Sequence, residues 1–147
     1  MLLDGKIRPG EVPVLIENYA YTLSWAALAP NTNVQTTKAV DGDSDFLAFY
    51  MSSNWFNDGT DAAIPQPKAR LQLTDTTSQQ PIFSDPTYVN VITGSGGFPY
   101  LNQDAKLYPA NTIIQATLYN DMIASNVTLD GQVVLGGLRV FYQSATS

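Results

Sequence analysis

The sequence predicts an all-β chain, an antiparallel β-sandwich or jelly roll of about eight strands. Three observations carry that expectation. Apolar and polar residues alternate with a period of two through most of the chain, and helical spacing is hard to find. Nine prolines and ten glycines punctuate the sequence at short intervals, the turn density of many short strands. Between those breaks lie β-branched and aromatic residues, which fit a pleated, half-buried surface. At 147 residues the chain fits one domain, and a domain of that size buries about two-thirds of the surface its unfolded form exposes.

Residues 1–15 read as an extended N-terminal arm ahead of a sandwich domain over residues 16–147. Pro9, Gly10 and Pro13 interrupt the arm, and proline in strand-like segments is confined to edges and starts. The same stretch lacks the continuous apolar core of a signal peptide. Tyr19, Tyr21, Leu23 and Trp25 then alternate with Ala20, Thr22 and Ser24, the period of a half-buried strand. After a turn at Pro30 and Asn31 comes a β-branched stretch at 34–40, followed by the acidic turn Asp41-Gly42-Asp43-Ser44-Asp45 and a strand at 46–52.

Residues 53–68 read as a long surface loop that carries Trp55 and Phe56 and closes at Pro65 and Pro67. Leu71 and Leu73 alternate with Arg70, Gln72 and Thr74 up to a turn at Asp75. Ile82 and Phe83 open a second loop, residues 89–93 read as a short strand, and Gly94 to Gly97 as a loop tip. The strongest strand is 112–120, with Ile113, Gln115, Thr117 and Tyr119 on one face and Ile114, Ala116 and Leu118 on the other. Stretches at 127–129, 132–135 and 138–142 close the chain, and Gly136-Gly137 between the last two marks a bulge.

Composition excludes several kinds of chemistry. The chain has no cysteine and no histidine. Disulfides, thiolate nucleophiles, imidazole bases and ordinary zinc sites are therefore out of reach. Net charge is −6 with seven basic residues scattered along the chain, which leaves little for counterion release against a phosphate backbone and disfavours nucleic acid as a partner. No apolar run approaches the ~20 residues of a membrane span. Charged residues make up 14%, well below the roughly 25% of ordinary soluble domains. Neutral polar groups fill the gap and are cheap to desolvate, so association is the natural reading.

The remaining motifs have plain readings. Asp41, Asp43 and Asp45 have the alternate spacing that opens a calcium loop, yet Phe46 stands where such a loop needs glycine and Ser52 where it needs a bidentate acid. Nearly all the other acids are aspartates in turn contexts, a poor placement for the carboxylate pair of a glycoside hydrolase. Gly94 to Gly97 lacks the lysine and following helix of a phosphate loop. The sequence thus implies no enzyme, no cofactor and no metal site. Aromatics in loops are where binding surfaces place large contact area, and Trp55, Phe56, Phe98 and Tyr100 are candidates for that role or for stacking on sugar rings.

Two stretches, Val40-Asp41-Gly42-Asp43-Ser44-Asp45-Phe46 and Leu107-Tyr108-Pro109-Ala110-Asn111-Thr112 leading into Leu118-Tyr119-Asn120, stand out, together with the final Gly136-Gly137-Leu138-Arg139-Val140 strand. In them the chain resembles the small jelly-roll structural proteins of tailed bacteriophages, the cement or decoration proteins on the outside of a capsid shell. The resemblance spans residues 19–142 as a pattern of turns and strands. It implies a non-enzymatic virion protein, made in the host cytoplasm, that sits on the capsid exterior, binds the major capsid protein, forms a homo-oligomer (dimer or trimer) and stabilises the shell. A tail, collar or fibre-base protein and a carbohydrate-binding module are the alternatives. An extended arm can add as a strand to a neighbour's sheet edge. The partner-binding residues expected from this sequence are Leu3, Lys6, Ile7, Arg8, Val12 and Val14 in the arm, with Trp55 and Phe56 in the loop.

Overall fold

The chain is a long antiparallel ribbon rolled into two layers. A computed structural model describes residues 8, 10–82, 84–93 and 100–144. In chain order the elements are β1 (Glu11–Leu28), β2 (Thr32–Ala39), β3 (Asp45–Asn57), β4 (Ala69–Asp75), β5 (Gln80–Pro81), β6 (Thr87–Tyr88), α1 (Val89–Ile92), β7 (Tyr100–Tyr108), β8 (Ile113–Asn120) and β9 (Leu129–Ser144). One sheet has the order β1-β9-β3-β7, the other β2-β8-β4-β5, with β6 also pairing with β4. The pairs β1/β9, β2/β8 and β3/β7 are antiparallel and join early strands to late ones. Successive pairs fall alternately in the two sheets. That is the jelly-roll order, and it meets the fold class expected from the sequence. Among the described residues no helix is long and apolar enough to cross a membrane.

The core lies between the sheets. On β4, Ala69, Leu71, Leu73 and Asp75 are buried and alternate with partly exposed Arg70, Gln72 and Thr74. On β8, Ile114, Ala116 and Leu118 point the same way. They pack against Tyr21, Leu23 and Trp25 of β1, Phe46 and Met51 of β3, and Val133 and Leu135 of β9. Each fully buried aliphatic side chain in such a core contributes about 1.5–3 kcal/mol over leaving it in water. The buried Asn120 closes one end. Its amide nitrogen donates to the carbonyls of Leu28 (2.8 Å) and Val127 (2.9 Å), and its oxygen accepts from the Met122 amide (2.9 Å).

Four elements differ from the sequence expectation. Residues 11–15, expected in the arm, begin β1 and pair with the end of β9 from Glu11 opposite Ser144 to Leu15 opposite Phe141. The stretch from Ser53 to Asn57, expected in a loop, continues β3 to its pairing with Leu129, because β9 runs on beside it and satisfies its backbone. Residues 89–93 form a single helical turn instead of a strand. It is closed by the Thr93 amide on the Val89 carbonyl (2.8 Å) and by the Thr93 hydroxyl on the same oxygen (2.6 Å). Finally, β9 is one continuous strand, and the bulge marked by its glycine pair belongs to the neighbour.

On β3, Ala48 pairs with Gly137 and Tyr50 with Gly136, which leaves Phe49 as the extra residue. Both glycines keep a regular register with Tyr19 and Ala20 of β1. Their lack of a side chain is what lets the bulge close. A Cβ on Gly136 would fall inside the Tyr50 ring, and one on Gly137 would fall on the Leu47 carbonyl oxygen.

Candidate interaction surface

At one end of the β1-β9-β3-β7 sheet, the start of β1 and the end of β9 run on as a two-stranded ribbon, Glu11 to Leu15 against Ser144 to Phe141, beyond the last pair of β3, Asp45 with Val140. Tyr21 is the first buried residue of β1. Upstream of it Val12, Val14, Leu15, Ile16 and Tyr19 are all exposed, Val14 to 52%. The uninterrupted apolar run from Val14 to Ile16 explains why. In a strand, successive side chains alternate between faces, so such a run places apolar groups on both, and all three of these side chains are exposed.

Two arginines hold the ribbon in place. Arg139 pairs in register with Glu17 and Phe46. Its Nε donates to Glu17 Oε1 (3.0 Å), its Nη2 to the same oxygen, and its Nη1 to Asp41 Oδ2 (2.9 Å). The guanidinium also lies 3.8 Å from the Tyr19 ring centre and 5.3 Å from that of Phe141. Tyr19 meets Tyr21 edge-on at 5.0 Å, and Tyr21 meets Phe46 at 4.8 Å. A ladder of rings therefore ties the ribbon to the core, with the cation as one rung. The hydrogen bonds to Glu17 are the largest cause raising the pKa of Arg139; desolvation opposes them, and the hydrogen bond to Asp41 adds a smaller upward contribution.

Arg8 performs the same task at the start of the described chain. Its Nε donates to Asp45 Oδ2 (2.9 Å), its Nη2 to Asp45 Oδ1, and its Nη1 to Glu11 Oε2 (3.3 Å). The guanidinium stacks 4.7 Å above the Tyr142 ring. Asp45 is buried and also accepts the Ala110 amide (2.9 Å). Bidentate pairing of this kind is strong and directional.

The expected partner-binding residues separate into four groups. Leu3, Lys6 and Ile7 lie outside the described residues. Arg8 is bound internally, so its charge is not free for a partner. Val12 and Val14 are on the exposed ribbon. Trp55 is only 4% exposed and stacks on Trp25 (6.3 Å, 27°), while Phe56 beside it is 42% exposed. Alternation along β3 sends one of the two aromatics into the core and the other out. Phe56 pairs with Asp130 near the start of β9, at the opposite end of the sheet from Val12 and Val14, so the two sets do not form one surface. Sequence reasoning missed Leu15, Ile16 and Tyr19, although the unbroken apolar run of 14–16 was the available signal.

Other candidate sites carry less. A cavity of about 160 Å³ borders Ser53, Trp55, Pro65, Asn90 and Thr93. Three of its polar side chains are engaged with one another, Ser53 Oγ with Thr93 Oγ1 at 2.6 Å and Trp55 Nε1 donating to Ser53 Oγ at 2.8 Å. Trp55 presents no open ring face there for a sugar. In the acidic turn, Asp41 and Asp45 are engaged by Arg139 and Arg8, so their charge is already compensated. Asp58 and Asp130 share a hydrogen bond that, with their mutual repulsion, raises the pKa of Asp58. Carboxyls that close are nearer than the ~5–9 Å that glycoside hydrolysis needs. No family model matches this chain, and no curated protein matches it in sequence.

Proposed function

We propose that this chain is a non-enzymatic structural protein of a tailed-phage virion that binds the major capsid protein on the outside of the head and stabilises the shell. The observation that supports the reading is the ribbon, an exposed apolar group at one end of a weakly charged jelly roll. Isolated exposed apolar side chains are ordinary, whereas a contiguous group of them marks an interaction surface. Contacts repeated over a shell add through multivalency, so each one can be modest.

The test is binding of the purified chain to undecorated heads, followed by heating of the complex. Removing residues 1–14 would also remove Arg8 and leave Asp45 buried without its guanidinium, so a Val12→Lys, Val14→Lys double variant is the cleaner probe. The expected result is saturable binding that raises the melting temperature of the shell, with at least a tenfold loss of affinity in the variant. Binding to tails or collars instead of heads would relocate the protein within the virion. Binding to neither would end the reading.

A further inference from the structure

We propose that two copies of this chain pair through the free edges of their β1 strands, antiparallel and about a two-fold axis. The case begins with the sheet edges. Proteins normally spoil exposed edges with short strands, proline, lysine or bulges. At the edges of the second sheet, β5 and β6 have two residues each and β2 carries Lys38. The register of β7 with β3 breaks between Leu101 and Lys106. By contrast β1 pairs without interruption from Leu15, opposite Phe141, to Trp25, opposite Gly131. That run contains no lysine, arginine, proline or glycine. Asn18, Ala20, Thr22 and Ser24 along it are exposed, small and uncharged. Among the described residues, nothing pairs with its outer edge.

A second copy fits this edge for three reasons. The chain carries a net charge of −6, so self-association must avoid opposing bare acids. The only acid from Leu15 to Trp25 is Glu17, and Arg139 neutralises it. Leu15, Ile16 and Tyr19 along this run are exposed apolar side chains, and pairing would bring them against the other copy. An antiparallel edge pair is self-complementary and needs no second surface. At ~3.4 Å per residue the seam is about 35 Å long.

The chain has no native cysteine, so single introduced thiols report without ambiguity. Ile16→Cys, Asn18→Cys, Ala20→Cys and Thr22→Cys place a thiol on one face of β1 at successive steps. Under mild oxidation the expected result is fast disulfide-linked dimer formation at one position, or two adjacent ones, with yield falling on either side. Only residues at the axis face their own copy at the ~5 Å Cα separation a disulfide requires. In sedimentation the cysteine-free chain should be a dimer, and Ala20→Lys should raise its dissociation constant at least tenfold while leaving the circular dichroism spectrum of the fold intact. A chain that sediments as a monomer at every concentration, or crosslinks to the same extent at all four positions, overturns the proposal. Because no phage head is present, this outcome is separate from that of the capsid test.

Discussion

Arg8 shows how a residue that reads as a docking contact can be consumed by the fold. In the sequence it sits among prolines and glycine in an apparent arm. In the structure its guanidinium is the counter-ion of Asp45, whose side chain is 2% exposed. Removing it would leave a buried carboxylate with the Ala110 amide as its remaining donor among the described residues, and an uncompensated buried charge is far more costly than a lost surface pair. Because the Arg8 side chain is itself 37% exposed, solvent screens part of the interaction. Arg8→Ala is therefore expected to lower the unfolding free energy by about 1–3 kcal/mol, with Arg8→Lys in between because it keeps the charge but loses the two-pronged geometry. Urea denaturation of the three proteins checks this. Identical midpoints would mean that the contact does not persist in solution. Trp55 and Phe56 teach a related lesson, since neighbours such as Asn54, Asn57 and Asp58 make both look like loop residues. Only the partner strand β9, distant in sequence, extends β3 far enough to bury one of them.

Among elements, legibility follows how each face of a strand is covered. β4 and β8 stand out in the sequence because one face meets the other sheet and the opposite face is wetter, which produces a clean period of two. β3 and β9 lack that signature. Their second face carries its own apolar cluster, in which Leu47, Val140 and Ala105 are buried against Phe49, Leu107, Leu138 and Tyr142. Burial on both faces erases alternation, and with Gly131, Gly136 and Gly137 interrupting it β9 looks like three fragments. The turn α1 is too short to show a helical period and is fixed by the Thr93 contacts. The bulge that ends β1 offers a direct test of local backbone strain. There Ala27 has φ 51, a left-handed conformation that alanine disfavours and glycine accepts, and its amide is held by Asp130 Oδ1 (2.6 Å). Ala27→Gly should raise stability by about 0.5 kcal/mol after the extra entropy of the unfolded glycine is counted. A loss in the denaturation midpoint would show that the Ala27 side chain contributes more than its strain costs.

At the scale of the whole molecule, the acid and tyrosine groups set how stability changes with pH. Asp58 has its pKa raised, first by the hydrogen bond with Asp130 and then by the repulsion between them. A carboxyl that holds its proton more tightly when folded stabilises the fold below its ordinary value of 3.8 and loses that contribution as pH rises through the folded value. Above that value the repulsion from Asp130 that raises the Asp58 pKa remains without the shared proton to offset it. Asp58→Asn should therefore leave stability unchanged or lower in acid and raise it at neutral pH, so that the difference between the two proteins grows with pH. The alkaline side has the same sign with different groups. Burial raises the pKa of Tyr108, and desolvation is also the largest cause for Tyr21 and Tyr142. Each neutral phenol stabilises the fold below its ordinary value of 10.0 and loses that contribution as pH climbs through the raised folded value. The urea midpoint should then fall steeply above about pH 10. Tyr108→Phe keeps the ring that stacks on Phe46 at 6.5 Å but removes the ionisable group, so its midpoint should fall less steeply over that range. Parallel curves for the two proteins would show that the Tyr108 hydroxyl reaches water more easily than its packing implies, and would leave Tyr21 and Tyr142 to account for the alkaline limb.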